Sequence, residues 1–243
     1  SAMMSSMISF TFTLAGATRE VPSLFSAHLS RQAPSKLKLV SRSFVPFDLS
    51  NTNAFGVGAA EQFAYDEREK YGYVGSEQGV LNVVDYADAA RPVVAAALGL
   101  NFGGRVSKGV SLCARKRLLL VLLTVPGRKT GRGTVLGFSA VRRASPQKPA
   151  QLFEVTVGPG PDALLPNPDC STIAVANEGE GEFTQPNRTH PRGTFADPEG
   201  GVTLIDVETH KATAVSFRNI AGRSVTDAYL TSLGVHLPLP LNA

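Results

Sequence analysis

The fold class that the sequence predicts is all-β: a β-propeller with about three to four recognisable blades and an incomplete ring. Three observations predict it. A hydrophobic strand, a Gly-containing turn and a second strand ending on an acidic residue recur three times, at a spacing of about 50 residues, the length of one blade. The apolar stretches are short or alternate with period two, as strands do and helices do not. Gly, Pro, Asn and Asp punctuate them at short intervals, which supplies the tight turns that successive antiparallel strands need.

Residues 1–38 read as a leader, disordered or targeting. Met7 to Leu14 is semi-apolar and ends in Ala15-Gly16-Ala17, the outline of a secretory signal, yet no Lys or Arg precedes it. The wider stretch to Phe47 is rich in Ser and Arg and nearly free of acid, which also suits an organelle transit peptide. A propeller domain is expected over 39–243, and Leu39-Val40 with Phe44-Val45 reads as a strand belonging to a neighbouring blade.

The first repeat spans about 51–100, with strands at Ala59–Asp66, Lys70–Gly75, Val80–Tyr86 and Pro92–Leu100. Ala87 to Leu98 is Ala-rich and helical in isolation, but Pro92 interrupts it, so strand is the favoured reading. The second repeat spans about 101–157. Its block Leu118–Leu123, prolonged through Val125, has the length of a buried strand, and Gln151–Val157 alternates cleanly as an outer strand. The third spans about 158–217, with strands at Ile173–Glu178, Val202–Asp206 and Lys211–Phe217. Residues 218–243 read as the start of a next blade or a tail. A ring typically closes with about 4 to 8 blades, so the expectation is a portion of a longer propeller.

Composition narrows the function classes. The chain has 243 residues, 43% hydrophobic, which suits a packed core. No run of about 18 apolar residues occurs, so no transmembrane helix is expected. Net charge is +4, but the basic residues segregate into the leader and into Arg115-Lys116-Arg117, Arg128-Lys129 and Arg132, while Asn177 to Asp206 is acidic. No aromatic interleaving accompanies them, so a nucleic-acid partner is not expected. Cys113 and Cys170 stand at comparable places in adjacent repeats; a disulfide in an oxidising compartment and two buried thiols are both open readings.

Candidate sites follow from the propeller geometry, in which ligands gather where loops enter the inner strands. Glu61 and Asp162 stand there in the first and third repeats, with Ser107-Lys108 in the second. Glu178 opens an acidic loop, Asn177 to Gly200, in which Glu alternates with Gly. Glu61, Asp162 and Glu178 are the candidate ligands for Ca²⁺, which takes about 6 to 8 oxygens. Asn187-Arg188-Thr189 in that loop is a glycosylation sequon. His28, His190, His210 and His236 are scattered without metal-ligand spacing, and no nucleophile elbow or Walker loop occurs, so no catalytic residue is assigned.

Three segments together resemble the choice-of-anchor I family: Asn53 to Glu61, Val175-Ala176-Asn177-Glu178-Gly179-Glu180, and Asp197-Pro198-Glu199-Gly200 through Asp206. The resemblance implies a secreted or surface-anchored β-propeller. From it we expect a non-catalytic extracellular or cell-surface module that binds proteins or matrix polysaccharide, assisted by Ca²⁺. Bacterial relatives carry an alkaline phosphatase label, and the alternative is therefore a metal-dependent phosphohydrolase using Glu61, Asp162 and Glu178. An organelle location is the alternative that the leader supports. The Arg115-Lys116-Arg117 and Leu118–Leu123 stretch departs from the family pattern.

Overall fold

The computed structural model describes residues 39–46, 60–77, 79–100, 102–144, 148–183, 193–216 and 225–234, with the further positions 6–7, 189, 191, 218–220 and 223–224. A short ladder pairs β1 (Ser6–Met7) with β2 (Ser43–Phe44). Blade 1 is an antiparallel sheet of β3 (Gln62–Asp66), β4 (Tyr71–Gly75), β5 (Val80–Asp85) and β6 (Val93–Gly99). Blade 2 repeats the arrangement with β7 (Val106–Cys113), β8 (Leu118–Thr124), β9 (Arg132–Ser139) and β10 (Gln151–Pro159). Blade 3 begins with β11 (Pro161–Pro166) and β12 (Thr172–Asn177), inserts a small hairpin of β13 (Glu182–Phe183) and β14 (Phe195–Ala196), then resumes with β15 (Gly201–Asp206) and β16 (Ala212–Ser216). A second small hairpin, β17 (Asn219–Ile220) with β18 (Arg223–Ser224), and helix α1 (Asp227–Ser232) follow.

Each blade is a meander in chain order, and the first strands β3, β7 and β11 lie side by side as the inner strands. The middle strands of blade 2 have a blade on each face, so they cannot alternate. All of Leu118 to Leu123 is buried, as that arrangement demands. Outer strand β10 has one solvated face and shows strict alternation, with Phe153, Val155 and Val157 inward. The core between blades 1 and 2 is built on Tyr73, Leu81, Leu119 and Leu123, and that between blades 2 and 3 on Leu120, Leu122, Ile173 and Ile205. At the β4–β5 turn the chain needs a left-handed residue. Gly79 supplies it at φ +77°, and its carbonyl accepts the Leu100 N–H at 3.1 Å.

Residues 39–46 lie on the outer face of blade 1. Val45 is fully buried against Val74, Val84 and Tyr86, and Pro46 O accepts a hydrogen bond from Asn82 Nδ2 at 2.9 Å.

Several expectations are refined here. The Ala-rich stretch is strand β6, because its backbone completes the ladder of β5. Cys113 ends β7 just ahead of β8, and Cys170 stands in the turn just ahead of β12. The acidic loop carries the β13–β14 hairpin. The tail holds a helix that the all-β reading lacked, capped where the Thr226 hydroxyl accepts the Tyr229 N–H, with Asp227 in its first turn.

Arg117 does not belong to a solvated basic loop. Its guanidinium pairs with the buried Asp66 of blade 1 and donates to Val141 O at 2.8 Å. Beside it Arg143 grips Asp85 through two hydrogen bonds, at 2.6 and 2.7 Å, and lies 4.7 Å over the Tyr71 ring. The Arg143 guanidinium holds the Asp85 carboxyl below the usual carboxylate range. These contacts clasp blade 1 to blade 2 at the end where the inner strands finish. At the same end Cys113 and Cys170 are joined in a disulfide, Cα to Cα 5.9 Å, which clasps blade 2 to blade 3.

Candidate functional site

The opposite end of the blades holds a cavity of about 580 Å³. It opens where β7 and β11 begin and β8 and β12 finish, which is where the meander of each blade delivers the loops that enter the inner strands. Lys108 reaches it from β7, Arg128 and Lys129 from the β8–β9 turn, Asp162 from β11, Glu178 and Glu180 from the segment after β12, and Glu77 from the β4–β5 turn of blade 1. Three blades thus contribute charge to one concavity.

Local geometry explains how those side chains arrive there. The β11–β12 ladder is in register at Pro161↔Asn177 and resumes at Ala163↔Ala176, so Asp162 is the extra residue of a bulge. A bulge re-aims a side chain that plain alternation would place elsewhere. Gly160, at φ +54°, lets the chain turn into β11 and accepts the Glu178 N–H at 2.8 Å, which brings Glu178 beside Asp162. Across the blade 2 to blade 3 boundary the hairpin is tied down by charge: Lys129 Nζ pairs with Glu180, and Glu182 accepts from the Thr130 hydroxyl at 2.6 Å and from the Lys129 N–H at 2.9 Å. Those donors, the Thr130 hydroxyl foremost, hold the Glu182 carboxyl below its ordinary range, and Glu180 raises the Lys129 ammonium. Lys108 Nζ meets Glu77 Oε1 at 3.2 Å.

Of the residues singled out from sequence, Asp162 and Glu178 line the cavity together. Glu61 lies directly ahead of β3, exposed, with its N–H donating to Gly75 O at 3.1 Å, and is not part of the cavity wall. Ser107 is buried at the blade 1 boundary while its neighbour Lys108 faces the cavity. Among the described residues no three acidic, His or Cys side chains come together as a metal-binding group. Asn187 lies outside the described residues. His210 packs on the Phe153 ring at 4.5 Å.

Sequence reasoning missed the pairing of Lys129 and Thr130 with Glu180 and Glu182. The signal was present: a basic block and an acidic block stand one repeat apart, 51 to 53 residues, so stacked blades bring them to one level.

The fold and the site can now be set beside known proteins. The choice-of-anchor I domain model matches residues 61–239. The chain belongs to the choice-of-anchor I family. Within the curated relatives, a mesenchyme-specific cell surface glycoprotein of Strongylocentrotus purpuratus is 30% identical over 157 residues, which is 63% of this chain and 18% of that protein. Among solved structures, the Myceliophteria thermophila Cps50 (Swd1) β-propeller domain is similar at a TM-score of 0.43 and 12% identity, over 72% of this chain and 59% of that one. A nidogen/laminin complex matches at 0.41 and 9% identity, over 74% and 60%. This choice-of-anchor I chain spans less than two thirds of each of these relatives. No helix among its described residues is long and apolar enough to cross a membrane.

Proposed function

We propose that this choice-of-anchor I chain is a non-catalytic binding module of a secreted or cell-surface protein, and that it engages a protein or matrix polysaccharide at the three-blade cavity. The observation that carries the reading is the cavity itself: charged side chains of both signs from three blades, set on rigid strand ends and cross-tied by ion pairs. Such a surface offers orienting polar contacts to a ligand. The disulfide and the kinship with a cell surface glycoprotein support an extracellular setting. Asp162 and Glu178 are the pair at which Ca²⁺ would assist, adding oxygen ligands from the partner.

The test is binding of the chain to immobilised basement-membrane proteins and sulfated polysaccharides, with and without CaCl₂. The double variant Asp162→Asn/Glu178→Gln is expected to weaken the binding at least about tenfold, a loss of roughly 1.4 kcal/mol. Equal binding by variant and parent would remove the cavity from the interaction. Chelator-sensitive hydrolysis of p-nitrophenyl phosphate by the parent, lost in the same variant, would replace this reading with the phosphohydrolase.

A further inference from the structure

The β13–β14 hairpin puts two aromatic rings where water reaches them. Phe183 and Phe195 stand opposite each other in its register, with ring centroids 5.0 Å apart and planes inclined at 52°, and they remain 70% and 44% exposed. The support beneath them is fixed. Glu180 and Glu182, which lead into the hairpin, are the carboxylates that Lys129 and Thr130 grip from blade 2. Rings offered on such a support lose little freedom when a partner covers them, and aromatic side chains are over-represented among the residues that carry binding energy.

The charge around the rings says which partner suits them. A Cβ built on Gly181 would come within 2.4 Å of the Phe195 ring and 2.9 Å of an Asp197 carboxylate oxygen, so ring and carboxylate lie side by side. Glu180 belongs to the cavity wall and stands three residues ahead of Phe183, at most about 10 Å of extended chain, which places the rings beside the cavity. In that wall Lys108 and Lys129 are matched to Glu77 and Glu180, which leaves Arg128 to set against Asp162 and Glu178. Glu182 is held by a hydroxyl and a backbone N–H, neither of which cancels its charge. The whole segment 177–200 carries five carboxylates against two arginines. A sulfated polysaccharide therefore meets like charge here, whereas a cationic side chain meets opposite charge and the negative face of a ring.

We infer that this hairpin is the docking surface for a basic segment of a partner protein, whose arginine or lysine side chains seat on Phe183 and Phe195 with Asp197 beside them. The inference rests on the reading of the cavity as a binding site and narrows its partner to a protein.

The test titrates the 243-residue chain against three fluorescein-labelled probes, read by anisotropy at low salt: a peptide alternating Arg and Gly, its counterpart with Glu for Arg, and a heparin oligosaccharide. The Arg peptide is expected to bind and the two anionic probes are not. Phe183→Leu/Phe195→Leu keeps the apolar character of both positions and every charge but removes the ring faces, and is expected to weaken the Arg peptide at least about fivefold. Asp197→Asn is expected to weaken it about twofold. Circular dichroism and the melting midpoint of both variants should match the parent, since the rings are exposed. Arg-peptide affinity unchanged by the Leu pair overturns the inference and assigns the binding to charge alone. Binding of heparin but not of the Arg peptide overturns it as well, and leaves the cavity reading standing with a polysaccharide as its ligand. If neither probe binds while the chain still captures the immobilised basement-membrane proteins, the hairpin inference falls and the cavity reading survives. Conversely, Arg-peptide binding that the Leu pair weakens and Asp162→Asn/Glu178→Gln leaves unchanged upholds the hairpin and removes the cavity.

Discussion

Asp66 shows how much of the assembly rests on single side chains. Its carboxylate is 1% exposed and accepts from the Arg117 guanidinium and from the N–H groups of Arg68 and Glu69, at 3.1 and 3.2 Å. Removing one member of such a pair strands the other charge in a medium that solvates it poorly. Arg117→Ala is therefore expected to destabilise the chain by about 3 kcal/mol, whereas Asp66→Leu/Arg117→Met costs less than the sum of its parts. Urea denaturation of the parent, Arg117→Ala, Asp66→Leu, Arg117→Met and the double variant decides this, and an Arg117→Ala loss below about 1 kcal/mol would mean that water reaches the pair. Next to it the Tyr73 phenol is hydrogen bonded to Val141, and burial, reinforced by Asp66, pushes it up to about 12 from its ordinary 10.0. The protonated form is the one that the fold favours. Its contribution is complete below pH 10, the unfolded value, and is lost as pH rises through the folded value near 12. Tyr73→Phe is expected to flatten that part of the stability curve, read as melting temperature between pH 9.5 and 12.

Elements were the most legible level. The strands of blades 2 and 3 follow from short apolar runs and period-two alternation, because burial on one face or on both is the force that sets their pattern. Where local preference pointed to helix, the strand reading still held: the Ala-rich run supplies β6, because β5 offers its ladder edge. Glycine inside β9 is a further case. Gly137 stands opposite Phe153 in the β9–β10 register, and a Cβ there would come within 2.4 Å of the ring. The glycine is a seat for the ring, on which His210 also packs at 4.5 Å. Gly137→Val should expel the ring and cost about 1 to 3 kcal/mol, visible as a lower denaturation midpoint; Gly127→Ser, in an open turn, would cost less. A midpoint equal to the parent's would show that the ring has room to move aside.

For the molecule as a whole, the sequence disclosed the count of repeats and two of the cavity carboxylates, Asp162 and Glu178, since both sit at predictable strand ends. The cross-blade partners were missed because their signal is not local: it lies in the offset of a basic and an acidic block by one repeat, 51 and 52 positions. The Cys113–Cys170 disulfide closes a separation of 57 residues, worth roughly 4 kcal/mol in the chain-entropy account. Reduction, or Cys113→Ser/Cys170→Ser, is expected to split one unfolding transition into two, with blade 3 melting first, as calorimetry would show; one unshifted transition would count against it. The same bond has a mechanical meaning. Each blade boundary carries its strongest tie, buried salt bridge or covalent bond, at the end away from the cavity, while the cavity end is held by half-exposed or exposed ion pairs such as Lys108–Glu77 and Lys129–Glu180. Dissolved salt weakens the exposed kind far more than the buried. The three blades are thus riveted like the sticks of a hand fan, and raising the ionic strength is expected to loosen the cavity end before the disulfide end.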